Sequence, residues 1–253
     1  MKAEVMEAYT DFAFVYDEFM DETPYDAWLQ YLLSELKSAD IHDGLLLDLG
    51  CGTGSMTRLL QEQGYDMIGV DASYDMLMVA MEQSDSSILY LCQDMREFEL
   101  YGTVRAVVSV CDCVNYILEP AELLQVFKLV NNYLDPGGLF IFDFNTAYKY
   151  KHLIGDTTIA ENRDHCSFIW ENAYDDEKQL NAYELTLFIK NEENEDYRKS
   201  VEEHYQRGYT FSEMQKLIEE SGLIFVKAFD TDSLSDVTNT SGRITIVARE
   251  NGK

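Results

Sequence analysis

Asp48-Leu49-Gly50-Cys51-Gly52-Thr53-Gly54 sets three glycines at alternate positions directly behind an acidic residue and an apolar run. Glycines in that pattern allow a tight strand-to-helix turn and let a ligand approach the backbone closely. The dinucleotide fingerprint G-x-G-x-x-G puts its last glycine one residue later, and Ser55 holds that place here. No G-x-x-x-x-G-K-S/T pattern occurs, so a nucleotide phosphate loop is excluded. Asp71 follows about twenty residues on, where a carboxylate can accept both hydroxyl hydrogens of a ribose. Its bland alternative is a surface aspartate capping the next helix. Asp94, Asp112 and Asp143 close three later segments in the same manner.

The elements that must position these residues can be read from apolar spacing. Leu45 to Leu49, Met67 to Val70, Ile88 to Cys92, Ala106 to Cys111 and Leu139 to Phe142 read as short buried strands. Met56, Leu59 and Leu60, then Met76, Leu77, Val79 and Ala80, fall at helical spacing. Leu123, Leu124, Phe127, Val130 and Leu134 mark a further helix, stopped by Asp135-Pro136-Gly137-Gly138. Continuous apolar strands, each followed by a helix, indicate a parallel sheet covered on both faces. Right-handed crossovers then point to a doubly wound α/β sheet, which binds ligands beyond the carboxyl ends of its strands. Gly50, Asp71, Asp94, Asp112 and Asp143 stand at those ends.

The pattern changes after Asn145. Cys166 to Tyr174, Leu180 to Lys190 and Tyr197 to Tyr209 alternate like strands, with charged turns at Asp175-Asp176-Glu177 and from Glu192 to Asp196. They predict an inserted antiparallel β-meander. Thr210-Phe211-Ser212-Glu213 has capping-box spacing, with Met214, Leu217 and Ile218 on the helix it opens. Leu223 to Ala228 and Ile244 to Ala248 complete a mostly parallel sheet of seven strands. Upstream, Trp28, Leu29, Leu32, Leu33 and Leu36 form a helical stripe, preceded by the aromatic-rich Tyr9, Phe12, Phe14, Tyr16 and Phe19. This region is either a helix packed on the sheet or a lid over the strand ends. The expected organisation is an N-terminal helical lid over residues 1–40, a core over 41–145 and 211–253, and a substrate-capping insertion over 146–210.

The chain of 253 residues has 47 Asp and Glu against 19 Lys and Arg, a formal net charge of −28. Clustered basic residues are what nucleic acids and anionic membranes attract, so neither partner is expected. Small cationic or neutral ligands suit the field better, although a halophile-type surface gives the same excess. With 46% hydrophobic residues the acidity does not imply disorder. No apolar run approaches the ~18 residues a spanning helix needs. Met1 to Thr10 lacks the basic and apolar pattern of a signal peptide. The five cysteines include no C-x-x-C pair, and Cys111 and Cys113 read as small buried hydrophobes, which suits a reducing cytoplasm. His42, His152, His165 and His204 show no metal-ligand spacing, so no metal is expected.

Asp48 to Gly54, Gly69-Val70-Asp71-Ala72-Ser73 with Met76-Leu77, Gln93-Asp94-Met95 and Leu134-Asp135-Pro136-Gly137-Gly138 resemble, in order, the successive motifs of class I S-adenosylmethionine-dependent methyltransferases. The likeness spans roughly residues 45–145, and the final strand pair fits it. It implies a Rossmann-like methyltransferase fold, with S-adenosylmethionine as cofactor and S-adenosylhomocysteine as product. By that resemblance Gly50, Cys51, Gly52 and Gly54 face the methionine portion, with Asp48 near its ammonium. Asp71, with Ala72 beside it, binds the ribose. Gln93, Asp94 and Met95 flank the adenine, Asp94 accepting from its exocyclic amine, and Met76 packs on the ring. Cys111 completes the cofactor set. Tyr9 to Asp17 resembles the lid segment of small-molecule N-methyltransferases, including amino-sugar dimethyltransferases and glycine-type enzymes. An aromatic hydroxyl reaches the cofactor in those enzymes, for which Tyr16 is the first choice and Tyr9 the second.

A general base is needed only where the acceptor arrives protonated. Asp112, with Asn115 and Tyr116, falls where the transferred methyl is expected. Asp143 and Asn145 end the next strand, and His204 lies in the inserted sheet. Asp112, Tyr16 and His204 are therefore the catalytic candidates. Asn115, Tyr116, Asp143, Asn145 and His204 are the substrate-binding ones. Plainer roles compete: a helix cap for Asp112, a satisfied sheet histidine for His204. The expected function is methyl transfer to a small molecule by in-line displacement, with nitrogen favoured over oxygen, in a monomer or homodimer. A cofactor-binding protein without turnover and a nucleotide-dependent oxidoreductase are the competing readings.

Overall fold

The computed structural model describes residues 9–191, 194 and 196–253, which leaves most of the charged turn around Glu192 outside the described residues. A 3-10 turn over Asp11–Phe14 leads into the short α1 (Tyr16–Phe19) and then α2 (Tyr25–Ser38). The doubly wound part follows as β1 (Leu45–Leu49), α3 (Ser55–Glu62), β2 (Asp66–Asp71), α4 (Tyr74–Gln83), β3 (Leu89–Cys92) and β4 (Val104–Ser109). It continues through a 3-10 turn at Cys113–Tyr116, α5 (Pro120–Tyr133) and β5 (Leu134–Asn145). A π-helical turn at Lys149–Ile154 precedes β6 (Thr158–Asn162), β7 (Cys166–Asp175), β8 (Leu180–Lys190) and β9 (Tyr197–Arg207). The chain closes with α6 (Phe211–Glu220), β10 (Ile224–Asp230) and β11 (Arg243–Arg249).

The seven-stranded sheet has the order β10-β11-β5-β4-β1-β2-β3, with β11 antiparallel to both of its neighbours. Strand order reverses between β4 and β1, and a crevice opens there at the carboxyl ends. Side chains alternate across the sheet. Leu47, Leu49, Phe140, Phe142 and Phe144 pack against α5 and α6, whereas Leu46, Met67, Val108 and Ile141 pack against α2 and α3. The stripe from Trp28 to Leu36 thus covers the central sheet. Thr210 and Glu213 form the expected reciprocal cap of α6.

The inserted sheet is antiparallel, in the order β6-β7-β8-β9. Phe12, Val15 and Phe19 pack on its inner face against Cys166, Phe168, Leu185 and Leu187. The aromatic segment before α2 therefore rests on the insertion, while α2 rests on the core.

Two elements differ from expectation. β5 starts at Leu134, because that residue leaves the helix in an extended conformation and pairs with Val104. An irregularity between Val104 and Ala106 absorbs the Asp135–Gly138 turn. β6 was not foreseen, since it is a mostly exposed edge strand without apolar alternation. Among the described residues no helix is long and apolar enough to cross a membrane.

Candidate active site

A cavity of about 600 Å³ lies at the carboxyl ends of β1, β2, β3 and β4, closed on one side by Tyr9, Thr10, Tyr16 and Tyr25. Asp48, Gly50, Cys51, Gly52, Asp71, Ala72, Met76, Gln93, Asp94, Met95 and Cys111 border it, and so does Tyr116. Gly54 does not line it and instead caps α3 in a left-handed conformation, where a Cβ would meet the Tyr90 hydroxyl at 2.5 Å.

The turn after β1 is held by a carboxylate. Gly50 has φ +82°, and an added Cβ would strike the Cys113 side chain at 2.7 Å, so the turn requires glycine there. Asp71 accepts the amide of Gly52 at 2.8 Å through one oxygen and that of Ser73 at 2.8 Å through the other. Burial raises its pKa, and those amides partly offset the rise. Asp48 is buried and receives the Thr57 hydroxyl at 2.6 Å. Burial pushes it up to about 7, with repulsion from Asp71 adding to the shift. Neither aspartate has an ion-pair partner among the described residues. Two carboxylates carrying a desolvation cost on one cavity wall favour a cationic ligand with hydroxyls beside it. Asp94 differs: its oxygens take the Arg96 guanidinium at 2.5 and 3.0 Å, and this bond holds its pKa below the usual range.

The other end of the cavity is phenolic. Tyr9 Oη lies 2.7 Å from Tyr116 Oη, which in turn lies 2.6 Å from Tyr183 Oη and 3.1 Å from His204 Nδ1. Tyr16 Oη sits 3.6 Å from Cys111 Sγ. Burial raises the pKa of Tyr9, Tyr16 and Tyr116 well above 10, and it pushes Cys111 up to about 11. His204 is buried behind Tyr116 and does not line the cavity. It pairs across the sheet with Tyr183, ring stacked on ring at 4.7 Å, and its Nε2 meets Glu202 at 3.2 Å.

Four other expected acceptor-side residues are taken up by structure and do not line the cavity. Asp143 receives the amides of Cys111 at 3.0 Å and Asp112 at 2.7 Å, both residues having positive φ. Asp112 occupies the cap position of the following 3-10 turn, and its carboxylate takes Arg243 at 2.5 Å and Gln206 at 2.7 Å. Asn115 is buried and bridges β5 to β9, bonding the amide and carbonyl of Asn145 and the carbonyl of Arg207. The Asn145 side chain takes Lys149 and Arg243. These groups shape the β4 turn from behind.

Sequence reasoning missed Glu202, Gln206 and Arg243. The signal for the first two was available: Glu202, His204 and Gln206 alternate on β9, and all are buried on one face. Arg243 carried no local signal, since its partners lie far away in the chain.

Residues 46–138 match the family model described as a methyltransferase domain. The chain is 34% identical over 217 residues to the Bacillus subtilis (strain 168) protein named "Putative methyltransferase YqeM", covering 85% of each. A solved S-adenosylmethionine-dependent methyltransferase from Clostridium acetobutylicum superposes with TM-score 0.86 at 27% identity, over 97% of this chain and 100% of that one. The chain belongs to the class I S-adenosylmethionine-dependent methyltransferases. This methyltransferase is also 33% identical, over 98 residues, to a dTDP-3-amino-3,4,6-trideoxy-alpha-D-glucopyranose N,N-dimethyltransferase of Streptomyces venezuelae, covering 39% of this chain and 41% of that one. Membership sets the oxidoreductase reading aside.

The cavity fits the cofactor of the family. S-adenosylmethionine carries a sulfonium and an ammonium, and it supplies an electrophilic methyl group when bound. Buried Asp48 and half-buried Asp71, neither ion-paired among the described residues, face the same space as the Gly50–Gly52 turn, and no Lys or Arg beside that turn calls for a phosphate. Among the described residues Arg96 is the one basic residue on the wall, and it is tied to Asp94 and Glu122.

Proposed function

We propose that this methyltransferase acts on a nitrogen of a small-molecule acceptor, held at the phenolic end of the cavity under the Tyr9–Tyr25 segment. The observation that carries the reading is the phenolic end of the cavity, where Tyr9, Tyr16 and Tyr116 meet beside Cys111 under a covering segment. Such a buried pocket has room for a small group and offers hydroxyls to orient it. The partial likeness to a sugar N,N-dimethyltransferase supports nitrogen as the acceptor atom.

In this reading Asp48 pairs with the cofactor ammonium and Asp71 takes the ribose hydroxyls. Met76 and Met95 pack on the adenine, with Gln93 and Asp94 at its edge. Tyr16 and Cys111 border the transferred methyl. The sulfonium leaving group is already activated. The protein's work is then to place a lone pair in line behind the methyl and to keep water away. Asp112, Asp143, Asn115 and Asn145 hold the turn that carries Cys111. Five unpaired cysteines support a reducing, cytoplasmic compartment, with small molecules as partners.

A methyl-transfer screen over small amines, sugars and carboxylates, read as S-adenosylhomocysteine release, tests the proposal. Product from amines supports it, and product from hydroxyl or carboxylate acceptors alone sinks the choice of nitrogen. Cofactor binding without product from any acceptor is the outcome for a binding protein without turnover.

A further inference from the structure

With the His204 ring neutral, the hydrogens of the buried cluster behind the phenolic end have one consistent arrangement. Glu202, fully buried on β9, meets only donors among the described residues. One oxygen receives the Tyr9 amide at 2.8 Å and His204 Nε2 at 3.2 Å. The other receives the Phe12 amide at 2.9 Å, the Thr10 amide at 3.2 Å and the Thr10 hydroxyl at 3.0 Å. Backbone amides can only donate, so both oxygens are acceptors and Nε2 of His204 carries a hydrogen. In the neutral ring Nδ1 is then the acceptor, and the Tyr116 hydroxyl at 3.1 Å donates to it. A phenol has a single hydrogen. Tyr116 therefore accepts from Tyr9 at 2.7 Å and from Tyr183 at 2.6 Å. Of those two donors, Tyr9 lines the cavity and Tyr183 does not.

We propose that the chain Tyr9 → Tyr116 → His204 → Glu202 presents the Tyr9 oxygen to the cavity as a hydrogen-bond acceptor only, so that the site selects methyl-acceptor atoms that carry a hydrogen. Primary and secondary amines and alcohols meet that condition, whereas tertiary amines and thioethers do not. Glu202 and His204 touch neither cofactor nor substrate and act as positioning residues. The Glu202 oxygen that ends the chain by taking His204 Nε2 also grips its first member through the Tyr9 amide. Orientation of the hydroxyls thus depends on the N-terminal segment resting on the insertion. The inference rests on the phenolic end being the methyl-acceptor site.

The test uses the full chain labelled with 15N-histidine and a long-range 1H–15N NMR spectrum. His204 is the buried histidine, with His42, His152 and His165 exposed, and His204→Gln assigns its signals by their loss. The expected result is the Nε2–H tautomer, with Nδ1 at the shift of a hydrogen-bonded acceptor. In Tyr116→Phe, Nδ1 moves toward the shift of a free acceptor while Nε2 stays in place. A hydrogen on Nδ1 in the wild type, in a neutral or a doubly protonated ring, overturns the proposal, because His204 then donates to Tyr116 and the chain runs outward; this readout needs no variant to fold. An Nδ1 shift that ignores a folded Tyr116→Phe overturns it as well. Calorimetry with S-adenosylhomocysteine separates this failure from that of the functional reading. Wild type that does not bind fails the functional reading alone. Tyr116→Phe is expected to bind within about threefold of wild type, and a loss of about tenfold or more overturns the proposal by placing Tyr116 at the cofactor.

Discussion

Glu202 accepts the backbone N–H of Tyr9 at 2.8 Å across a sequence separation of 193 residues. This contact fastens the segment that covers the cavity to the inner face of the inserted sheet. Burial works against the Glu202 charge, yet the bonds from His204, the Phe12 amide and Thr10 outweigh it and hold the carboxyl below its usual pKa range. Glu202→Ala strands several buried donors at once. It is expected to lower unfolding free energy by about 3 kcal/mol or more in urea titrations. Amide exchange at Tyr9, Thr10 and Phe12 should accelerate in parallel. Unchanged exchange at those three amides would show that the segment is held by something else.

Asp71→Ala removes the proposed ribose acceptor and the partner of the Gly52 amide together. S-adenosylhomocysteine affinity measured by calorimetry is expected to fall by about tenfold or more. An affinity equal to wild type refutes the ribose assignment.

Asp48 gives a pH signature. Its carboxyl titrates at about 7 in the folded protein and near ~3.9 in the unfolded chain. The raised folded value means that the folded form binds the proton more tightly. This contribution to stability is full below about pH 4 and is lost as pH rises to about 7, on the order of 4 kcal/mol in all. Roughly 2–3 kcal/mol of the loss falls above pH 5. Urea unfolding of wild type and Asp48→Asn at pH 5 and pH 8 should therefore show a shallower decline in the variant. Cofactor-product affinity runs the opposite way in the wild type, rising toward pH 8 as the carboxylate forms to meet an ammonium. Equal declines in the two proteins would remove the basis for this reading.

Asp143→Ala leaves the amides of Cys111 and Asp112 without their acceptor, in a turn where both residues have positive φ. The expected cost is about 2–4 kcal/mol by urea unfolding. S-adenosylhomocysteine binding should weaken too, since Cys111 borders the cavity. A stable variant with unimpaired binding would mean that the turn holds its shape without the carboxylate.

The glycine-turn end of the cavity was legible because its geometry is local. A glycine turn directly after a buried strand, and an aspartate at the end of the next one, are placed by the parallel sheet itself, and hydrophobic spacing reveals that sheet. β6 was illegible for the opposite reason: an exposed edge strand has no buried face and leaves no alternation to read.

The phenolic end shows where sequence reading stops. Asp71, Asp112 and Asp143 look alike in the chain, each an aspartate at the close of an apolar run. Asp71 keeps company with backbone amides on the cavity wall, while Asp112 meets Arg243 and Gln206, and Asp143 is sealed beneath the Cys111 turn. His204 was recognisable as a sheet histidine, but its neighbours come from the N-terminal segment, the β4 turn and two inserted strands.

The sequence by itself determined the doubly wound sheet, the glycine turn and the acidic strand ends, since each follows from residue type and short-range spacing. Tertiary structure alone decided which carboxylates face the cavity and which are neutralised behind it, and it brought Glu202 to Tyr9. The physical reason is that a buried carboxylate is defined by the donors that surround it, and here those donors arrive from distant parts of the chain.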